Sequence, residues 1–138
     1  MTHETHPVDI AAAVVQRPDG SVLLLKRSEA HSTNAGKWCF VTGYVESDEE
    51  PAQAARRELQ EEVGLEVGAP TRSGDIVVVH TDWGKTLHVH PYLFPVDQDS
   101  RVSIDWEHTT YRWIMPVDLE QYDTVQQLDE DLISLGLL

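Results

Sequence analysis

Cysteine, lysine and long apolar runs are what this chain has least of. Cys39 is its single cysteine, so no disulfide can form within the chain. That suits a cytoplasmic location. No apolar run approaches the roughly 20 residues that cross a bilayer. The opening stretch, Met1 to Asp9, is polar where a signal peptide would be apolar. No membrane is expected as a partner, and residues 1–7 read as a loose arm. Lysine occurs only at Lys26, Lys37 and Lys85. Lys and Arg number 10 against 24 Asp and Glu, which leaves a net charge of −14 at pH 7. A basic patch for nucleic acid is therefore not expected.

What is present is enough chain for one domain with a real core. No repeat or low-complexity linker divides the 138 residues, and a homodimer is compatible with them. The excess of carboxylates over lysines resembles the composition of proteins from salt-loving organisms. The competing reading is an ordinary acidic cytoplasmic protein. Val8 to Gln16 is apolar and β-branched enough for a strand, Pro18-Asp19-Gly20 marks a turn, and Val22 to Lys26 reads as the returning strand. Glu29 to Gly36 reads as a polar loop, and Lys37 to Val41 as a short strand. Further on, Gly74 to His80 and Thr86 to Phe94 read as strands joined near Asp82-Trp83-Gly84, and Thr110 to Ile114 as another. Val117 to Tyr122 suits a helical turn. Thr124 to Leu137 suits a closing helix with Leu128, Leu132 and Leu135 as its apolar stripe. Strands, helix, strands, helix is the order of an α/β sandwich around a mixed sheet.

The helix between these strand groups carries the chemistry. Pro51 suits a first helical turn, with Ser47 and Asp48 as cap candidates before it. Gly64 supplies the stop. Ala52, Ala55, Leu59 and Val63 share a face that should pack on the core, while Glu58, Glu61 and Glu62 fall on a neighbouring face, with Ala54 leaving room above them. Like charges at this spacing repel, and the last two sit at the negative helix end with no basic residue to offset them. A solvated acidic face is the plain alternative in so acidic a chain. A divalent cation accounts better for the cluster, because hard cations such as Mg²⁺ take carboxylate and phosphate oxygens.

The spacing is more specific than the helix. Gly43 is followed after five residues by Glu49, and seven residues later by Arg57-Glu58-Leu59-x-Glu61-Glu62-x-Gly64-Leu65. This fills every position of the Nudix box, G-x5-E-x7-R-E-U-x-E-E-x-G-U, where U is aliphatic. A chance match at a given start is on the order of 10⁻⁹. The chain therefore resembles the Nudix hydrolases, which cut nucleoside diphosphates linked to another group with the help of divalent metal. The resemblance implies an α/β/α sandwich around a mixed β-sheet over nearly the whole chain, Mg²⁺ as cofactor with Mn²⁺ able to substitute, and a nucleotide-type substrate. It assigns metal binding to Glu58, Glu61 and Glu62, with the backbone carbonyl of Thr42 as a further ligand. It makes Arg57 the residue that orients the glutamates and Glu49 its partner, and it leaves the catalytic base open. Water would attack one phosphorus in line and give two phosphate-ended products. A non-hydrolytic nucleotide-sensing module is the alternative, and an intact box speaks against it.

Several residues stand outside the common pattern. Where many members read Pro-Gly-Gly, this chain reads Thr42-Gly43-Tyr44, and Tyr44 is either a strand residue or part of the substrate cleft. The wording Trp38 to Glu46, His90 to Phe94 and Asp105 to His108 resembles the Nudix region ahead of initiation-factor-2B-like domains in some archaeal and fungal proteins. That favours an ADP-ribose-like or other nucleotide-sugar substrate over a nucleoside triphosphate. Glu107 is the best further ligand or base, and Arg27 a phosphate contact, each against a plain surface role. His88 and His90 alternate on one strand face and read as a partly buried pair rather than a separate metal site. Trp38, Trp83, Trp106 and Trp113 read as packing before base stacking, and Cys39 as structural.

Overall fold

A computed structural model describes residues 6–138. The expected arm over residues 1–7 falls mostly outside them, and His6 and Pro7 are exposed. Among the described residues, eight strands form one mixed sheet. β1 (Val8–Gln16) is its centre, running parallel to β7 (Thr86–Pro95) and antiparallel to β4 (Val41–Tyr44) and the start of β2 (Val22–Arg27). β2 also pairs with β3 (Trp38–Cys39) and β8 (His108–Ile114). On the far edge, β5 (Arg72–Ser73) and β6 (Val77–His80) share β7.

Ala11 to Val15 are all buried, because β1 is covered on both faces and reads as a continuous apolar run. On one face α1 (Pro51–Val63) brings Ala54, Ala55, Leu59 and Val63 against Ala11, Ala13 and Val15. The small alanines of β1 let the helix lie close to the strand. On the other face α2 (Leu128–Ser134) and a 3₁₀ turn (Pro116–Gln121) bring Leu119, Leu128, Leu132 and Leu135 against Val14, Leu24 and Phe40. The expected apolar stripe is thus buried as read.

The structure corrects four local expectations. The strand read over Lys37 to Val41 is two strands, split at the fully buried Phe40. β1 and β2 diverge after Gln16↔Val22, and the chain crosses from the β2 edge (Leu25↔Cys39) to the β1 edge (Ala13↔Val41) there. The strand read from Gly74 begins only at Val77. Gly74 N–H still donates to the Pro91 carbonyl at 3.0 Å, but Pro91 of β7 has no N–H to return a bond, and the regular ladder is interrupted there. The closing helix is shorter than Thr124 to Leu137, because Asp123 to Val125 runs alongside Trp38, with Val125 N–H on the Trp38 carbonyl at 3.0 Å. Finally, Glu50 precedes the first turn of α1, not Ser47 or Asp48, and its N–H donates to Gln53 Oε1 at 2.9 Å.

Candidate active site

Arg57, at the middle of α1, gathers the acidic side chains. Its guanidinium meets Glu49 twice, Nη2 to Oε1 at 2.7 Å and Nε to Oε2 at 3.2 Å. Its Nη1 donates to Glu58 Oε1 at 2.7 Å and to Glu61 Oε2 at 3.3 Å, and its Nη2 to the Tyr44 carbonyl at 3.1 Å. Such fork-to-carboxylate pairs fix direction as well as charge. The bonds from Arg57 hold the Glu49 carboxyl below the usual range. Glu49 also accepts the Glu46 N–H at 3.0 Å, which ties it to the loop before α1.

The three box glutamates have three different surroundings. Glu61 is exposed and turned to Arg57 and solvent. Glu58 is mostly buried and lies where a side chain at Gly43 would be. Glu62 is buried, with 7 % of its side chain exposed, and its Oε2 has no hydrogen-bond partner. Burial first, then Glu58, Glu107 and Asp105, push its carboxyl well above the carboxylate range. Glu107 is also raised, by burial first and then by Asp105 and Glu58. Ala54 does not leave space above this face, since it is fully buried in the core.

Gly43 is required by this closeness. A β-carbon there would fall on the Glu58 carboxyl. Gly43→Ala is expected to cost about 1–3 kcal/mol of stability through overpacking and to weaken divalent-cation binding. Chemical denaturation and calorimetric titration check both; unchanged cation affinity would contradict the close approach of β4 to Glu58.

A cleft of about 410 Å³ opens beside these carboxylates. Glu58, Glu107, Arg27, Thr42, Tyr44 and Asp131 are among the residues that line it, with Trp83. Tyr44 is the last residue of β4, is 64 % exposed, and lines the cleft. Arg27 ends β2 and reaches the loop after it, donating to the Thr33 carbonyl at 3.2 Å. Glu107 immediately precedes β8, and its carbonyl accepts from the Ser28 N–H at 2.9 Å and lies 2.8 Å from His31 Nε2. His31 stacks on Trp106, with ring centres 5.9 Å apart.

Sequence reasoning missed Asp131 and His108. Asp131 is buried on α2, where burial first and then Glu130 and Asp129 push its carboxyl up to about 8. A signal was present: Asp131 falls between Leu128 and Leu132 on the apolar stripe. His108 is buried beside Glu62 and Glu107, and the ligand atoms of the three lie within 4.8 Å of one another. Among the described residues this is the one group of three or more His, Cys, Asp or Glu arranged to hold an ion. The orphan Glu62 oxygen and the neighbouring acids fit a divalent cation. His88 and His90 lie outside the group, and His90 Nε2 is 3.0 Å from Asp9. Cys39 is buried, and its thiol is pushed up to about 12 by burial, as a structural cysteine would be. Trp38 packs edge-on against Tyr122, and Trp113 lies under Arg17.

A helix of acids tied by one arginine, facing a cleft on a split mixed sheet, is the arrangement of one class of protein. The NUDIX domain model matches residues 6–135, and the chain belongs to the Nudix family as a pyrophosphohydrolase. It is 36% identical over 117 residues to the CTP pyrophosphohydrolase of Escherichia coli, covering 83% of this chain and 81% of that protein. It is 34% identical over 128 residues to the nucleoside triphosphatase NudI of Escherichia coli, covering 87% and 91%. The crystal structure of the MutT protein from Methanosarcina mazei Go1 superposes with a TM-score of 0.83 at 25% identity, covering 98% of this chain and 96% of that one.

Proposed function

We propose that this protein hydrolyses a pyrophosphate linkage of a nucleoside triphosphate with the help of a divalent cation. The observation that carries the reading is Glu62, a buried carboxyl with an unpartnered oxygen whose neighbours Glu58 and Glu107 both line the cleft. Burying an acid this way is costly unless a cation is part of the site. Glu58, Glu61, Glu62, Glu107 and the Thr42 carbonyl would hold Mg²⁺, or Mn²⁺ in its place. When bound, the cation neutralises phosphate oxygens and makes a water more acidic.

The residues of the chain do the rest. Arg57 and Glu49 keep Glu58 pointed at the cleft. The proton of the attacking water passes to a carboxylate that lines the cleft, Glu58 or Glu107. The water oxygen bonds to one phosphorus, the bridging P–O bond breaks, and the bridging oxygen leaves on the other phosphate. Arg27 meets a phosphate oxygen at the cleft edge. Asp131 stays protonated near neutral pH and donates to an acceptor on the base, with Tyr44 and Trp83 as aromatic walls.

Two relatives named for nucleoside triphosphate substrates support this substrate class. The second reading, an ADP-ribose-like or nucleotide-sugar substrate, draws on the sequence wording around Trp38 to Glu46. A screen of CTP, UTP, ATP, GTP and ADP-ribose in H₂¹⁸O separates them, and the labelled product names the phosphorus attacked. Turnover of a triphosphate is expected, with KM for the preferred base raised about tenfold in Asp131→Ala and kcat little changed. No turnover of any substrate with Mg²⁺ or Mn²⁺ would favour the nucleotide-sensing alternative. Running the screen at low and high salt tests the salt-loving composition, which predicts activity lost at low salt.

A further inference from the structure

One member of the close group of Glu62, Glu107 and His108 is not an oxygen donor. His108 has 2 % of its side chain exposed. Its Nε2 lies 3.8 Å from Glu62 Oε1, and its Nδ1 lies 3.9 Å from Asp105 Oδ1. Both distances exceed hydrogen-bond length. Nδ1 has no partner, and neither has the adjacent Glu62 Oε2. A histidine buried for packing alone would normally find partners for its ring nitrogens.

The backbone explains the aim. Glu107 N–H donates to Asp105 Oδ1 at 3.0 Å, and His108 N–H to the Asp105 carbonyl at 3.3 Å. The Ser28 N–H fixes the Glu107 carbonyl. This turn presents two consecutive side chains, Glu107 and His108, to the same buried carboxyl. It also leaves Asp105 behind the imidazole. A carboxylate behind one ring nitrogen with an ion before the other is how metal-binding histidines are commonly held in one tautomer.

We propose that His108 is a nitrogen ligand of the bound cation, positioned by Asp105, and that the site therefore takes Mn²⁺ more tightly than Mg²⁺. The proposal rests on the reading of Glu62 and Glu107 as cation-binding. Mg²⁺ keeps to oxygen donors, whereas imidazole suits first-row transition ions. The preference comes from the chain itself, before any nucleotide is bound.

Pulsed EPR of the Mn²⁺-loaded, nucleotide-free protein tests this directly, together with calorimetric titration of Mn²⁺ and Mg²⁺. The expected spectrum carries ¹⁴N modulation that disappears in His108→Gln. The expected titrations show Mn²⁺ affinity lowered about tenfold or more in that variant, with Mg²⁺ affinity changed less than about twofold. Asp105→Asn, a second variant that keeps the imidazole, is expected to retain the modulation with weakened Mn²⁺ binding. Mn²⁺ bound through Glu62, as shown by loss of binding in Glu62→Gln, but without ¹⁴N modulation would overturn the role of His108 and leave the glutamate reading standing. Mn²⁺ binding that is indifferent to Glu62→Gln would overturn both. Equal loss of both ions in a folded His108→Gln would mark the residue as packing only.

Discussion

Glu62→Gln is expected to lower kcat/KM about 10²-fold or more while making the cation-free protein more stable. The two effects have one cause. Glu62 is buried, and its neighbours Glu58, Glu107 and Asp105 are acids, so its charged form is disfavoured in the fold. An acid whose carboxyl is pushed above its ordinary value costs stability once the pH exceeds that ordinary value, 4.5 for glutamate. The cost grows as pH rises toward the raised value and vanishes below 4.5, where the carboxyl is neutral in both states. Glutamine keeps the shape and carries no charge. Near pH 7 without divalent ions, the variant should melt about 3–8 °C higher than the wild type, and near pH 4 the two should converge. Added Mn²⁺ should raise the wild-type melting temperature and leave the variant nearly unmoved, since binding stabilises only what binds. Scanning calorimetry at two pH values, with and without the ion, reads all of this. A variant less stable than wild type at pH 7 without metal would show that Glu62 is satisfied in the bare fold.

Arg57→Lys has the second largest expected effect. Arg57 holds Glu49 through two nitrogens and spreads to Glu58, Glu61 and the Tyr44 carbonyl. A lysine ammonium is a point charge and cannot span that set. The expected loss is about 10²-fold in kcat, because Glu58 loses its direction, and about 2–3 kcal/mol of stability, because the mostly buried Glu49 and Glu58 are left short of partners. Steady-state kinetics and urea unfolding measure the two. A cycle with Glu49→Gln should show coupling of about 1–3 kcal/mol. Additive single effects would mean that the pair does not act as a unit. A kcat within threefold of wild type would mean that Glu58 is held by something else.

The residues that could be read from sequence are those whose signal is local. The box spacing identified α1, its Gly64 stop and the partnership of Arg57 with Glu49 and the glutamates. Consecutive apolar residues in β1 and the leucine spacing in α2 gave the two buried faces. Glu107 was legible as an acid next to a strand. What escaped depends on distant parts of the chain. The split at Phe40 follows from the divergence of β1 and β2, which no residue near Phe40 announces. The late start of α2 follows from a backbone bond between Val125 and Trp38. The different surroundings of Glu58, Glu61 and Glu62 come from β4 and β8, so helical spacing alone gave them a shared face and no ranking. Asp131 broke an apolar stripe and could have been singled out. His108 could not, because its meaning comes from Glu62, far away in sequence.

The central feature of the proposed site is a cation held among Glu58, Glu62 and Glu107 beside a substrate diphosphate. A crystal structure of the protein with Mn²⁺ and a non-hydrolysable nucleoside triphosphate measures that directly. The expected result is an ion within coordination distance of Glu62 and Glu107, sharing a phosphate oxygen, with Arg57 still on Glu49. Nucleotide in the cleft with no ion among these side chains, or an ion bound only by exposed acids elsewhere, would contradict it.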